Sequence, residues 1–149
     1  VYGEARLTKA DCMAGDIPHD RIFLCGAPIE DHRKGDQGAD ETYWQYIPND
    51  GVYGVPYGTI VPRGSEQAWV VGRCFSATHD AHASCRSMAQ TMSMGQAAGL
   101  AAAITLDRDI AADEMNITML HDRLTEIGAI LEVPKRIADT SRHGWANNK

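Results

Sequence analysis

The densest chemistry in this chain lies in one short stretch, His79, Asp80, His82 and Cys85. Imidazole, carboxylate and thiol are all zinc ligands, and the His79-x-x-His82-x-x-Cys85 spacing admits a small His/Cys metal site. No second ligand cluster accompanies it, so no metal is assigned from the sequence. His79 can also carry a proton near neutral pH. The Arg86 guanidinium can hold an anionic small-molecule substrate, or pair with a loop carboxylate. His79 and Arg86 are therefore the candidate catalytic residues.

These residues need elements to position them. Ala68-Trp69-Val70-Val71 is wholly apolar and ends at Gly72, which predicts a short strand buried on both faces, as in a parallel sheet. From Cys74 to Arg86 the residues are small or polar without periodicity, which predicts a loop. Ser87 and Gln90 read as an S-x-x-Q capping box opening a helix to about Leu106. Strand, small-residue loop and helix start make a ligand-binding unit, because free N–H groups at a helix start attract negative charge. Within the helix, Gly95, Gly99 and Ala103 share one face. Glycine inside a helix costs about 1 kcal/mol relative to alanine. Two on one face point to close approach by another backbone. Met88, Met92 and Met94 are expected to pack the helix.

Elsewhere the punctuation is local. Thr8 and Asp11 form a capping box for a short helix that stops at Gly15. Arg21 to Cys25 reads as a strand, and Pro28 to His32 as a second extended stretch. Asp31 to Asp40 is charged and predicts a surface loop. Tyr43 to Tyr46 is an aromatic cluster. Asn49-Asp50-Gly51 and Pro62-Arg63-Gly64 are turns, with Val52 to Val61 extended between them. Asn116 caps a last helix with an apolar face at Ile117, Leu120, Leu124 and Ile127, closed by Gly128. Pro134 follows, and Asp139 to Lys149 is a polar, loose tail. The organisation is one region, 1–149: an extended subdomain over 17–64, a strand–loop–helix segment over 65–106, and a helix and tail over 107–149.

The 149 residues are 44% hydrophobic and 23% charged, the composition of a globular domain with a real core. The net charge of −6 argues against a nucleic-acid partner or an anionic membrane surface. No apolar run reaches membrane-spanning length; Ala97 to Leu106 is short and alanine-rich. The four cysteines contain no C-x-x-C pair, so reduced structural thiols and a cytoplasmic setting are expected. Cys12 and Cys25 are expected to be inert, and a Cys74–Cys85 disulfide is left open. Tyr57 and Trp69 read as core aromatics. Val1-Tyr2-Gly3-Glu4 reads like the interior of a sequence, which raises the expectation of cleavage, truncation or a further upstream segment.

Val71-Gly72-Arg73-Cys74-Phe75-Ser76-Ala77-Thr78-His79 resembles the V-[AV]-G-R-x-x-S-A-T-H stretch of a bacterial family of FAD-dependent oxidoreductases related to the fumarate reductase and glutathione reductase flavoproteins. The likeness continues through Ser84, Arg86, Met88, Met92, Gly95-Gln96-Ala97-Ala98-Gly99 and Ala101-Ala102. Val55-Pro56-Tyr57 and Val61-Pro62-Arg63-Gly64 resemble that family's I-P-Y…L-V-P-[KR]-G, Gly3-Glu4 and Leu7-Thr8 its G-E-x-x-L-T, and Leu124 to Leu131 its helix-closing element. The resemblance implies an α/β fold: the C-terminal portion of a Rossmann-like FAD/NAD(P)-binding flavoprotein. It implies FAD as cofactor, contacted by Gly72, Arg73, Cys74, Ser76, Ala77, Ser87, Gly95 and Gln96, and two-electron transfer between flavin and an organic substrate. Such enzymes hold the ADP half of FAD on a G-x-G-x-x-G turn. This sequence has none, so an upstream segment or a separate chain is expected to supply it. Two readings of other classes stand beside this one: a noncatalytic subunit or remnant that binds a partner flavoprotein through the Gly95/Gly99 stripe, and a small His/Cys metal-binding protein.

Overall fold

Thr8 begins the first helix by reciprocal capping. Its hydroxyl accepts from the Asp11 N–H at 3.3 Å, and the Asp11 carboxylate accepts from the Thr8 N–H at 2.8 Å. The helix, α1 (Lys9–Ala14), ends at Gly15 in the left-handed conformation that its missing Cβ permits. The computed structural model describes residues 1–34 and 40–133.

β1 (Arg21–Cys25) pairs antiparallel with β4 (Tyr53–Pro56), with Phe23 opposite Val55 and Cys25 opposite Tyr53. A second antiparallel pair, β2 (Ile29–Lys34) and β3 (Asp40–Gln45), runs in register from Ile29↔Gln45 to Lys34↔Asp40. This corrects the loop expected over 31–40. A charged run can stay in a two-stranded antiparallel ladder because such a ribbon can leave a face open to water, so its side chains need not all be apolar. Residues 35–39 lie outside the described residues, as do Pro134 and the tail. Tyr43 and Trp44 stand exposed on β3, and Tyr46 just beyond it. Asn49 adopts the left-handed conformation in the following turn.

The expected strand at Ala68–Val71 does not form. Val70 donates one bond to the Ile60 carbonyl at 2.8 Å, and no strand of the described residues runs beside this segment. A two-sided apolar run becomes a strand only when a neighbour supplies the ladder. The described residues therefore combine helices with two small antiparallel sheets, and the parallel pairing among them is the single bridge Leu7↔Ala77.

α3 (Met88–Arg108) turns Met94, Ala97, Ala101 and Thr105 into the core. It packs on β1 and on α4 (Ile117–Glu126). Asn116 caps α4 by accepting from the Met119 N–H, and Leu120 and Leu124 are buried while Ile127 is exposed. The opposite face of α3 is open: Met88 and Met92 are 81% and 73% exposed, which corrects their assignment to packing. Gly95, Gly99 and Ala103 are exposed too, and a Cβ on either glycine would meet nothing within 4 Å. Among the described residues, nothing covers this stripe. No helix of the described residues is long and apolar enough to cross a membrane.

Some buried polar groups are partnered through relays, whereas Thr78 Oγ1 and Gln90 Oε1 are buried without a partner among the described residues. Trp69 Nε1 donates to Tyr57 Oη at 2.7 Å, and Tyr57 donates to the Ala112 carbonyl at 2.9 Å. Burial pushes the Tyr57 phenol up to about 12, so it is a structural tyrosine. Cys12, Cys25 and Cys85 are buried free thiols, whereas Cys74 is exposed, so no Cys74–Cys85 bridge exists. A hydrogen bond from Cys85 holds the Cys25 thiol down at about 6, and the same contact, with burial, pushes Cys85 well above its ordinary value. Burial lifts Cys12 to about 12.

This burial sets a simple expectation for thiol chemistry. Under native conditions only Cys74 should react promptly with a disulfide reagent such as DTNB, with the three buried thiols following after denaturant is added. Cys74→Ser should remove the prompt phase. Two or more fast thiols in the native protein would contradict the described core.

Candidate functional site

Leu7 anchors the segment that the sequence singles out. Its N–H donates to the Ser76 carbonyl at 3.1 Å, its carbonyl accepts from the Thr78 N–H at 2.8 Å, and the Ser76 N–H reaches the Thr59 carbonyl at 2.8 Å. Ser76 and Ala77 are thus pinned into the core, and Ser76 is buried. Just before them, Gly72–Cys74 form a 3-10 turn on the surface. Gly72 has φ +70 with nothing within 4 Å of a would-be Cβ, and Arg73 and Cys74 are exposed.

The stretch expected as a loop contains a helix, α2 (His79–Ser84), which corrects that expectation. Its inner side is Ala81, Ala83 and Ser84, too small and too short to register as an apolar period. Thr78 before it and Asp80 in its first turn were the available signals. His82 holds the preceding turn in place: its Nε2 donates to the Arg73 carbonyl at 2.9 Å while its ring stacks on Phe75 at 5.7 Å between centroids.

α2 packs against β2, and there the two candidate catalytic residues meet one strand. His79 Nε2 lies 3.1 Å from Asp31 Oδ1. Arg86 Nη2 donates to the Glu30 carbonyl at 3.1 Å. His79 is largely exposed, and Arg86 is half-buried. Asp31 is the neighbour of His79 that sequence reasoning did not single out. It sits in the charged run read as a loop, and only strand pairing delivers it to His79. A carboxylate can only accept, so Nε2 of His79 carries the hydrogen of this bond and Nδ1 is the ring nitrogen left for other partners.

Ser87 takes the extended conformation of an N-cap, but its side chain makes no capping bond. The expected capping box fails because Gln90 turns inward, donating to the buried Cys25 Sγ at 3.6 Å. The first-turn N–H groups of α3, which have no intrahelical partners, therefore receive no bond from the Ser87 side chain and lie beside exposed Ser87, Met88 and Ala89. The turn at Gly72–Cys74 also contacts α3. Gly95 and Gln96 are exposed about 10 Å farther along the helix axis. Gly72, Arg73, Cys74, His79, Arg86 and Ser87 thus lie on elements that contact one another, while Ser76 and Ala77 support them from below.

The H-x-x-H-x-x-C metal reading does not survive folding. His82 is engaged with Arg73, and Cys85 is buried in the core. Among the described residues, the donors that converge are Asp31, His79 and Asp80.

A sequence profile of the family described as FAD dependent oxidoreductase matches residues 1–124. No curated protein and no solved structure matches the chain.

Gly72 offers a direct check on the turn. Since no atom obstructs a Cβ there, the cost of Gly72→Ala is that of the left-handed backbone, about 1–2 kcal/mol. Chemical denaturation should show that loss. An unchanged unfolding free energy would contradict the conformation of the turn.

Proposed function

Since the chain belongs to the FAD dependent oxidoreductase family, we propose that its Gly72–Ser87 segment and the start of α3 form the flavin-facing wall of a redox enzyme. In this reading the chain is the C-terminal portion of a Rossmann-like fold, and a segment or chain bearing a G-x-G-x-x-G turn completes it. The observation that carries the proposal is the first turn of α3, uncapped by any side chain, in contact with the Gly72–Cys74 turn, of which Arg73 and Cys74 are exposed. The residues fit the group. Free N–H groups suit an anionic pyrimidine edge, Gly72 leaves room for close approach, and Arg73 adds positive charge. Bound there, FAD would supply the two-electron acceptor for an organic substrate.

The chain's own contributions follow from its geometry. The start of α3 favours negative charge placed against it by about 0.3–1 kcal/mol, and up to about 2 kcal/mol when partly buried. Asp31 orients the His79 ring and leaves Nδ1 to take or give the substrate proton. Arg86, tethered to the Glu30 carbonyl, keeps donors free for a substrate oxyanion. The exposed α3 face, Met88, Met92, Gly95, Gly99 and Leu106, is the surface that the completing segment covers. The same face supports the second reading, a noncatalytic subunit that binds a partner flavoprotein.

Three measurements test these readings. The chain alone should bind FAD weakly or not at all, and assembly with a G-x-G-x-x-G partner should restore the flavin absorption bands. In that assembly Arg86→Ala should depress turnover or substrate affinity while the bands persist; unchanged kinetics would return Arg86 to a structural role and favour the noncatalytic reading. Gly99→Leu should leave the melting temperature of the chain alone intact or raised, since leucine favours helix over glycine by about 1 kcal/mol. It should block assembly. Assembly unaffected by Gly99→Leu would show that the stripe is not the covered surface.

A further inference from the structure

We propose that Asp31, His79 and Asp80 form a site for a divalent transition-metal ion of the Zn2+ type where α2 meets β2. One imidazole nitrogen and two carboxylate oxygens lie within 4.8 Å of one another there. They come from two elements far apart in the chain, with Asp31 on β2 and His79 and Asp80 in the first turn of α2. The scaffold brings them together before any ion arrives. The Arg86 bond to the Glu30 carbonyl ties the end of the α2 segment to β2 one residue from Asp31. The Asp31 side chain is only 14% exposed, so the strand sets its position, while His79, at 77%, leaves the outer side open.

Three ligands with an open side match an exchangeable site that completes its coordination with water, not a closed structural one. The donor set also selects the ion. One imidazole with two carboxylates suits Zn2+ or Co2+, whereas Ca2+ and Mg2+ want oxygen alone and Cu+ wants sulfur. Lys9 supplies a separate observation. Its ammonium stands 3.3 Å from Asp80, so a cation already occupies the edge of the cluster. A metal ion must displace it, and removing it must therefore strengthen metal binding.

Occupancy would also reach the proton chemistry of His79, although the metal site does not depend on the flavin reading. A metal on Nε2 takes the place of the proton shared with Asp31. The ring proton then resides on Nδ1, which no longer has a lone pair to accept another. Metal binding and proton uptake at Nδ1 exclude each other, so the ion would act as an inhibitor.

The test uses the 149-residue chain, free of tags and flavin, titrated with ZnCl2 by calorimetry and with CoCl2 by visible absorption. One Zn2+ per chain is expected. Loss of groups that merely orient metal ligands weakens binding by about 10–100-fold, so His79→Ala and Asp80→Asn should each weaken it by at least about tenfold. Asp31→Asn should do the same, with circular dichroism reporting that the fold persists. Lys9→Met should tighten binding by about two- to fivefold, the effect of one exposed ion pair. The cobalt complex should lack thiolate charge-transfer bands. Absence of saturable Zn2+ binding would overturn the proposal. So would binding that survives His79→Ala and Asp80→Asn, binding that Cys74→Ser abolishes, or binding unchanged in Lys9→Met. Because flavin is absent throughout, any of these results leaves the flavin reading standing.

Discussion

The hydroxyl of Tyr53 is the constraint on which the rest of the structure depends. It is fully buried, and it lies 2.7 Å from Ser84 Oγ, which donates its own proton to the Ala27 carbonyl at 2.6 Å. Tyr53 is therefore the donor to Ser84. This relay joins β4, the end of α2 and the link between β1 and β2. An unsatisfied buried hydroxyl or carbonyl costs about 1–3 kcal/mol, so the three groups must be assembled together or not at all. Burial and the neighbouring thiols push the Tyr53 phenol far above its ordinary range, and it stays protonated as the relay requires.

From this point the candidate site is placed at second hand. Ser84 holds the end of α2, so Arg86 and Ser87 leave the core in a set direction. The same helix carries His79 toward β2, whose position the Ala27 bond helps to define. Leu7 secures the other end of the segment through Ser76 and Thr78. The exposed groups, Arg73, His79 and the first turn of α3, thus rest on hydrogen-bonded segments while remaining exposed above. The exposed side of α3 has the opposite character: its inner side is filled by Met94, Ala97 and Ala101, while no described residue lies within 4 Å of a Cβ at Gly95 or Gly99 on its outer side.

Sequence patterns were legible wherever the cause was local. Thr8 with Asp11, Asn116 with Met119, and Gly15 each act within a few residues, and each holds. The β1 strand was legible from its apolar residues. What failed depended on partners distant in the chain. Ser87 and Gln90 carry the right letters for a capping box, yet the buried Cys25 sulfur claims the glutamine. Ala68–Val71 has the composition of an inner strand without a neighbour. The charged run after Ile29 becomes a strand only because Asp40–Gln45 returns alongside it, and with it Asp31 reaches His79. Family likeness singled out this segment, but it could not reveal that Ser76 is buried or that Asp31 lies beside His79.

The central claim is that the Gly72–Ser87 segment and the opening turns of α3 face the flavin. Hydrogen–deuterium exchange on the assembled enzyme, with and without FAD, tests it most directly. Protection should appear in the backbone of residues 72–75 and 87–92 when FAD binds, with little change in α4. Full flavin occupancy with unaltered exchange in both stretches would contradict the account.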